Sequence, residues 1–137
     1  MKSVALISDI HGNYPALRAV LDDIDRVGAT QIVCLGDIVG FFSMVNECVE
    51  LLRKRGIVCL KGNHDHALVF DRGVIPRSKT CTQVLHRQMS ELKPDHVEWL
   101  GKLEARLDLE LLIGPATLVH GGLDNPVDEY LYKVPLD

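Results

Sequence analysis

Five polar side chains follow strand-like apolar runs in this 137-residue sequence, and all five are of types that bind divalent metal ions. They are Asp9, His11, Asp37, Asn63 and His120. Carboxylate, amide and imidazole ligands without a thiolate favour Mn, Fe, Zn or Mg over copper(I) or an iron-sulfur cluster. One carboxylate shared by two such ions lets them polarise a phosphoryl group and generate a metal-bound hydroxide. The pattern therefore predicts a metal site, with Asp37 of the central unit as the bridge.

Single members of this set also have structural explanations. A lone carboxylate such as Asp37 can cap a helix, and His120 beside two glycines can be a structural histidine. Five such groups at four strand ends would make the structural explanation a series of coincidences. Asp9 and His11 are two residues apart, and in an extended chain their side chains would point the same way. His64 is the candidate general acid, with its ring oriented by Asp65.

The elements that must position these residues alternate along the first half of the chain. Apolar runs predict strands over 4–7, 31–35 and 57–61, and helical spacing predicts helices over 15–27 and 44–55. Asn13 or Tyr14 begins the first helix, and Gly28 ends it. Such alternation predicts a parallel sheet covered on both faces. Right-handed crossovers then bring the polar strand ends to one edge, where open sheets bind ligands.

The second half is predicted to contain a loop with some helical turns over 67–76, a helix over 78–89 capped by Ser78, a helix over 94–103, and two final strands. These strands cover 107–113 and 116–120 and join in a hairpin at Gly114-Pro115. His86 and His96 are expected on the surfaces of the later helices. Phe41 and Phe42 either stack on an aromatic group of a ligand or pack in the core, and the sequence leaves both open.

Composition favours one domain over residues 1–137, since a chain of this length with 47% hydrophobic residues can bury a core. The net charge of -4 gives no electrostatic reason to expect nucleic-acid binding. No apolar run reaches the roughly 20 residues that span a bilayer, and no signal peptide is evident, so we expect a cytoplasmic protein without membrane contact. Cys34 and Cys59 lie within apolar runs and are expected to be buried.

Four motifs also occur in the order typical of one family. They are Asp9-Ile10-His11-Gly12-Asn13, Gly36-Asp37, Gly62-Asn63-His64-Asp65 and Val119-His120-Gly121. Over residues 1 to about 132 the chain resembles the calcineurin-like metallophosphoesterases, in particular their small bacterial and archaeal branch. The resemblance implies an α/β fold, a four-layered αββα sandwich of two facing sheets, and two divalent ions with Mn favoured.

The resemblance also implies a role for each site residue. Asp9 and His11 would bind the first ion, Asp37 both ions, and Asn63 and His120 the second. His64 would protonate the leaving group or stabilise the phosphoryl oxygens. Asn13 would hold the metal ligands in position without binding a metal ion itself.

One family motif has no counterpart here, because no Gly-His-x-His sequence follows His120. We therefore expect the chain to correspond to the front portion of a longer phosphoesterase, a domain that is short at its C-terminus. Missing strands would leave a sheet edge unpaired, which favours a homo-oligomer.

These observations predict a phosphoesterase that hydrolyses phosphomonoesters or phosphodiesters through a dinuclear metal centre, with a small phosphorylated substrate. The alternative is a non-catalytic phosphate-binding or nucleotide-binding module with an incomplete metal site. A flavodoxin-like open α/β domain with Asp9 as phosphoacceptor is a weaker third hypothesis. A phosphoacceptor pocket has no need of the imidazoles of His11 and His64 beside a coordinating amide.

Overall fold

Strands and helices alternate along the chain before a final hairpin in the computed structural model, which describes residues 3–71, 73 and 78–130. In chain order the elements are β1 (Val4–Ile7), α1 (Tyr14–Val27), β2 (Gln31–Cys34), α2 (Val45–Lys54), β3 (Val58–Cys59), α3 (Asn63–Phe70), α4 (Lys79–Glu91), α5 (Pro94–Gly101), β4 (Arg106–Leu111) and β5 (Gly114–Val119).

The first three strands form the predicted parallel sheet. Their order is β1-β2-β3, with Ile7 beside Cys34 and Cys34 beside Cys59. The third strand is shorter than predicted, although Leu60 adds an isolated parallel bridge to Glu104. All three strands run in the same direction, so their carboxyl ends lie along one edge, as the polar loops require.

The two faces of this sheet are covered by different elements. On one face, α1 and α2 pack over Cys34 and Cys59 in the main core. On the other face, Val33 and Leu60 pack against Leu111 and Leu118 of the hairpin formed by β4 and β5. The sheet is therefore covered on both faces, as predicted, and right-handed crossovers in a sequential strand order place both helices on the same face. The layer of helices, the parallel sheet and the hairpin sheet together agree with the predicted α/β sandwich class.

Helix ends follow the predicted capping residues. Asn13 caps α1, where its Oδ1 accepts a hydrogen bond from Ala16 N at 3.2 Å, and Gly28 ends the helix at φ 79°. Ser78 caps α4 by accepting from Cys81 N at 3.2 Å. The residues that cap these helices were therefore predicted from the sequence.

Two predicted connections differ from the structure. Residues 63–70 form α3 rather than part of a loop, because Asp65 accepts the Gly62 N–H and so completes the first helical turn. Residues 72 and 74–76 of the predicted loop lie outside the described residues. The hairpin turns at residues 112–113, whereas Gly114 and Pro115 already belong to β5.

The structure tests the predicted burial of two cysteines and two histidines. Cys34 and Cys59 are buried, as predicted. His86 is exposed, as predicted, but His96 is only 2% exposed, so its predicted surface position was wrong. Its ring packs between helices, where Nδ1 lies 2.8 Å from Asn46 Oδ1 on α2. None of the described helices is both long and apolar enough to cross a membrane.

Candidate metal centre

The loops after β1 and β2 lie side by side at the carboxyl ends of the strands. Asp9 N donates to Gly36 O at 3.0 Å, and His11 N donates to Asp37 O at 2.9 Å. Gly12 N continues this ladder by donating to Ile38 O at 2.8 Å. The two loops therefore remain paired after the strands end, and this pairing places Asp9 and His11 beside Asp37.

Three of the candidate ligands have an unusual backbone conformation. The φ angles are 55° for Asp9, 52° for His11 and 55° for Asp37, in the left-handed region that residues other than glycine rarely adopt. His11 Nε2 lies 3.7 Å from Asp9 Oδ1, so the two side chains converge as predicted. The predicted cause was wrong, because β1 ends at Ile7 and the convergence comes from left-handed turns. Such conformations cluster at functional sites, where the surrounding structure enforces them.

Asp37 is buried at the centre of the site, with a side chain that is 4% exposed. Its Oδ1 accepts a hydrogen bond from His64 N at 2.9 Å. Its Oδ2 lies 3.7 Å from His11 Nε2 and 3.5 Å from His120 Nε2. One carboxylate oxygen therefore lies near two imidazole nitrogens that come from different loops.

Two groups of potential ligand atoms share Asp37. Asp37 joins His11 and His64 in one group, and Asp9 and His120 in the other, with the ligand atoms of each group within 4.8 Å of one another. This grouping differs from the sequence assignment, which paired Asp9 with His11. Both arrangements keep Asp37 as the shared member.

Hydrogen bonds fix the ring orientation of two histidines. His11 Nδ1 lies 2.8 Å from Val39 O, and His120 Nδ1 lies 3.0 Å from Leu35 O. A carbonyl oxygen only accepts, so each Nδ1 carries a proton, and in the tautomer with a single proton on Nδ1 each ring turns the lone pair of Nε2 toward Asp37. Metal-binding histidines use this arrangement, in which the other ring nitrogen donates to a carbonyl.

Asn63 stands beside His120 in the first turn of α3. Its Oδ1 lies 3.1 Å from His120 Nε2, the nitrogen that carries a lone pair in this tautomer. Two lone pairs that face each other at this distance need a cation or a proton between them. The donor set of Asp9, His11, Asp37, Asn63 and His120 therefore fits a divalent metal.

Asp65 connects the Gly62 loop to the loop after Asp37. Its Oδ1 accepts from Ile38 N at 2.9 Å and Val39 N at 3.1 Å, and its Oδ2 accepts from Gly62 N at 3.0 Å. Asp65 therefore supports the site through the backbone, while its predicted role in orienting the His64 ring stays a prediction.

Asn13 and Phe42 border the exposed side of the site. Asn13 caps α1, and together with Asp9 and Phe42 it lines a cavity of about 380 Å³. Phe42 is 54% exposed. The structure thus shows Asn13 as a capping residue at the entrance to the site, while its predicted supporting role toward the ligands stays a prediction.

Phe41 lies directly against the site rather than in the core. It is 53% exposed, and its ring meets the His11 ring edge-on with 4.6 Å between centroids. The His64 ring centroid is 5.3 Å away. The core-packing alternative for this pair of phenylalanines was therefore wrong.

Glycines permit the close approach of these loops. A Cβ on Gly62 would lie 2.0 Å from Asp37 Oδ1, and one on Gly40 would lie 2.5 Å from His11 Nδ1 and 2.7 Å from His64 Nδ1. Gly40 also has a φ of 120°. The sequence reasoning missed Gly40, and the available signal was a glycine three residues after Asp37 that no predicted turn requires.

Burial opposes charge within the site. Burial, reinforced by the neighbouring Asp65 carboxylate, raises the pKa of Asp37 to about 8. Burial, and then the nearby His11 and His120, lowers the pKa of His64 to about 4. Burial also raises the pKa of Asp65, against the opposing effect of its backbone N–H donors. A divalent cation would reverse the first effect, because it favours the ionised form of Asp37.

The orphaned polar atom of the site belongs to His64. This side chain is buried, and its Nδ1 has no hydrogen-bond partner among the described residues. Its backbone N–H holds Asp37, while its ring lies 4.7 Å from the His11 ring, measured between centroids. A buried polar atom without a partner is rare and indicates a functional position.

The fold, the motifs and this ligand set define a class of metal-dependent hydrolases. The chain belongs to the calcineurin-like phosphoesterase family, whose family model matches residues 2–135. It is 52% identical over 135 residues to an uncharacterized protein of Methanocaldococcus jannaschii, a match that covers 98% of this chain and 56% of that protein.

Two solved structures are similar to this chain over most of its length. A metallophosphoesterase from Sphaerobacter thermophilus is similar with a TM-score of 0.73 and 34% identity, over 93% of this chain and 50% of that one. A hypothetical protein from Pyrococcus horikoshii OT3 has a TM-score of 0.79 and 26% identity, over 94% of this chain and 58% of that one. The chain thus spans about half the length of the relatives it matches.

Proposed function

We propose that the chain is a metal-dependent phosphoesterase that hydrolyses small phosphomonoesters or phosphodiesters. One observation carries the proposal: a single buried oxygen, Asp37 Oδ2, lies 3.7 Å from His11 Nε2 and 3.5 Å from His120 Nε2, with both rings held by backbone carbonyls. This arrangement suits a carboxylate that bridges two cations.

The proposed ligands divide around Asp37. Asp9, His11 and Asp37 would hold the first ion, and Asp37, Asn63 and His120 the second. This set of oxygen and nitrogen donors suits Mn, Fe, Zn or Mg, and the family resemblance favours manganese among them. Divalent ions in such a site polarise the phosphoryl group and lower the pKa of water.

His64 is the proposed catalytic residue. It lies in the first turn of α3, where its backbone N–H is bonded to Asp37 and its ring stands beside His11. From this position the ring would protonate the leaving group or stabilise the phosphoryl oxygens. Asp65 would keep α3 in place by linking Gly62 to Ile38 and Val39, and Asn13 would support the ligand loop after β1.

Hydrolysis of two chromogenic substrates tests the proposal. The full chain with Mn²⁺ should hydrolyse p-nitrophenyl phosphate or bis-p-nitrophenyl phosphate, and Asp37→Ala should abolish this activity. Asp22→Ala is the matched control, since it removes an exposed carboxylate of α1, and it should leave the rate unchanged. A rate in Asp37→Ala equal to that of the unmodified chain would remove Asp37 from the centre.

Metal content separates this function from the alternative. Two ions per chain, measured by elemental analysis after gel filtration, would support the phosphoesterase. One ion or none, together with binding of phosphate or a nucleotide, would support a non-catalytic binding module.

Three further observations support a proposed location, substrate type and oligomeric state. All four cysteines are free, which supports a cytoplasmic location because cytosolic thiols stay reduced. The acidic net charge supports a small phosphorylated substrate over a nucleic acid. Among the described strands, β1 pairs with β2 alone, and this open edge supports a homo-oligomer.

A further inference from the structure

Gln88 is a buried amide on the apolar face of α4. It is 1% exposed and lies between Leu85 and Leu92, which are also buried. Its Oε1 accepts a hydrogen bond from Gly40 N at 2.8 Å. Its Nε2 donates to Gly40 O and, at 2.5 Å, to Phe42 O. Both N–H groups and the carbonyl of this side chain are therefore used on one loop.

That loop, residues 39–42, lies over the histidines of the metal centre and is named here the clamp loop. Val39 O binds His11 Nδ1, and the Phe41 ring contacts the rings of His11 and His64. Gly40 approaches both rings so closely that a Cβ would lie 2.5 Å and 2.7 Å from their Nδ1 atoms. The position of this backbone therefore determines where both imidazoles stand.

The clamp loop is fixed from two sides. Asp65 binds Val39 N at 3.1 Å from the side of α3, and Gln88 binds the following residue from α4. Gly40 has a φ of 120°, and its buried N–H and C=O both bond to Gln88. Without Gln88, these groups and Phe42 O would lose their hydrogen-bond partner and the loop would relax away from His11.

We propose that Gln88 is a positioning residue of the metal centre, acting through the clamp loop on the tautomer and orientation of His11. The inference rests on the proposed function, because it assigns His11 to a metal ion. Residues behind the ligands of a metal site change its affinity by about 10-fold to 100-fold when they are replaced. Gln88 is one step further away, so we expect the lower value.

A second amide provides the matched control. Asn46 on α2 also makes three polar contacts, with Glu91 O at 2.9 Å, Lys93 N at 3.0 Å and His96 Nδ1 at 2.8 Å. These contacts hold the connection between α4 and α5 and do not include the clamp loop. Asn46→Leu should therefore lower the unfolding temperature without changing the metal centre.

The experiment compares Gln88→Met, Gln88→Asn, Asn46→Leu and the unmodified full chain. Nitrogen-15 NMR of the histidine rings without metal reports the His11 tautomer, and calorimetry with MnCl₂ reports metal affinity. Gln88→Met should mix the two His11 tautomers and weaken Mn²⁺ binding about tenfold. Gln88→Asn keeps an amide that is one methylene too short, so it should shift both values less in the same direction.

The result that overturns the proposal is a Gln88→Met chain with the His11 tautomer unchanged and Mn²⁺ affinity within about twofold of the unmodified value. Equal shifts in Asn46→Leu would also overturn it, since they would follow from lost stability alone. If Gln88→Met fails to fold, the test uses Gln88→Asn and the unmodified chain. In the unmodified chain, rapid exchange of the Gly40 N–H and the Gln88 amide protons would count against the proposal.

Failure of the proposed function gives a different result. A chain that binds no Mn²⁺ and hydrolyses no phosphoester would contradict the phosphoesterase assignment. The NMR comparison in the metal-free chain would still decide whether Gln88 positions His11.

Discussion

His64 and His96 are both buried histidines, yet the regions around them differ in how polar groups are satisfied. His96 Nδ1 lies 2.8 Å from Asn46 Oδ1, and its Nε2 lies 3.9 Å from carboxylate oxygens of both Glu50 and Asp95. His64 Nδ1 has no hydrogen-bond partner among the described residues. Burial and the neighbouring histidines lower the pKa of His64 to about 4.

The charges in the two regions differ in the same way. At the helix junction around His96, Lys93 pairs with Glu50, and Arg53 pairs with Asp95 at 2.7 Å. At the strand ends, Asp9, Asp37 and Asp65 stand close together, and the described residues there supply imidazoles rather than Lys or Arg. The junction balances its own charges, whereas the strand-end site is built to receive a cation from outside.

Backbone conformation separates the regions once more. Asp9, His11 and Asp37 adopt left-handed angles that cost about 1 kcal/mol or more each for residues with a Cβ. The junction helices α2 and α5 show no positive φ angle among their residues. Strain and unpaired polar atoms therefore mark the functional site, while a buried histidine by itself does not.

The substitution Gly62→Ala should have the largest effect. Its Cβ would lie 2.0 Å from Asp37 Oδ1, which accepts a hydrogen bond from His64 N, and 2.3 Å from Asp37 N, in the loop that is paired with His11. Because Gly62 has an ordinary φ of -92°, the whole cost is steric. We expect the free energy of unfolding to fall by about 3 kcal/mol and Mn²⁺ binding to be lost, measured by urea denaturation and calorimetry.

Gly101→Ala, on the junction helix α5, is the matched control. The nearest atom to its Cβ is Val69 Cγ1 at an ordinary 3.5 Å, so stability should stay within about 1 kcal/mol of the unmodified chain. Equal losses in the two variants would show that the strand ends are no more tightly built than the helices.

The pH dependence of stability in the metal-free chain should be the next largest effect. The folded pKa of Asp37, about 8, exceeds its ordinary 3.8, so its contribution to stability falls as pH rises toward 8. The folded pKa of His64, about 4, lies below its ordinary 6.5, so its contribution rises between pH 4 and 6.5. Between pH 4 and 6.5 the two contributions to stability change in opposite directions and offset each other. Above pH 6.5 only the contribution of Asp37 still changes.

Stability should therefore fall by about 2 kcal/mol between pH 6.5 and 8, since one pKa unit corresponds to about 1.4 kcal/mol. Urea denaturation at each pH in the presence of EDTA measures this fall. Asp37→Asn should remove it, and saturating Mn²⁺ should replace it with a rise, because the ion competes with the proton. The same slope in Asp37→Asn would assign the effect to other groups.

Sequence patterns predicted the strand-end loops because apolar runs followed by Gly-Asp and Asn-His motifs are local signals. The parallel sheet and the caps at Asn13 and Ser78 were confirmed for the same reason. The left-handed turns at Asp9 and His11 were not predicted, because an extended chain gives the same convergence of side chains. The second sheet came from the family resemblance rather than from local patterns, because strand order, which decides what covers each face, is not a local property.

Long-range hydrogen bonds account for the other differences. Gln88 meets Gly40 across 48 positions of sequence, and His96 meets Asn46 across 50. Each partner is a common residue type, so neither pairing leaves a pattern in its own segment. A glutamine between Leu85 and Leu92 on an apolar helix face is the one sequence signal that could have identified Gln88 as buried.

The paired substitutions His64→Leu and His96→Leu should give the smallest change and the most direct test of the comparison. His96→Leu removes one of the two partners of Asn46 Oδ1, beside two carboxylates, and it should lower the free energy of unfolding by about 1 to 2 kcal/mol. His64→Leu replaces a buried ring whose Nδ1 is unpaired, so the metal-free chain should keep its stability or gain up to about 1 kcal/mol. Activity with Mn²⁺ should change in the opposite sense, lost in His64→Leu and kept in His96→Leu. If both variants lose stability equally, His64 is a structural histidine like His96, and the proton donor or phosphoryl-binding group must be sought elsewhere.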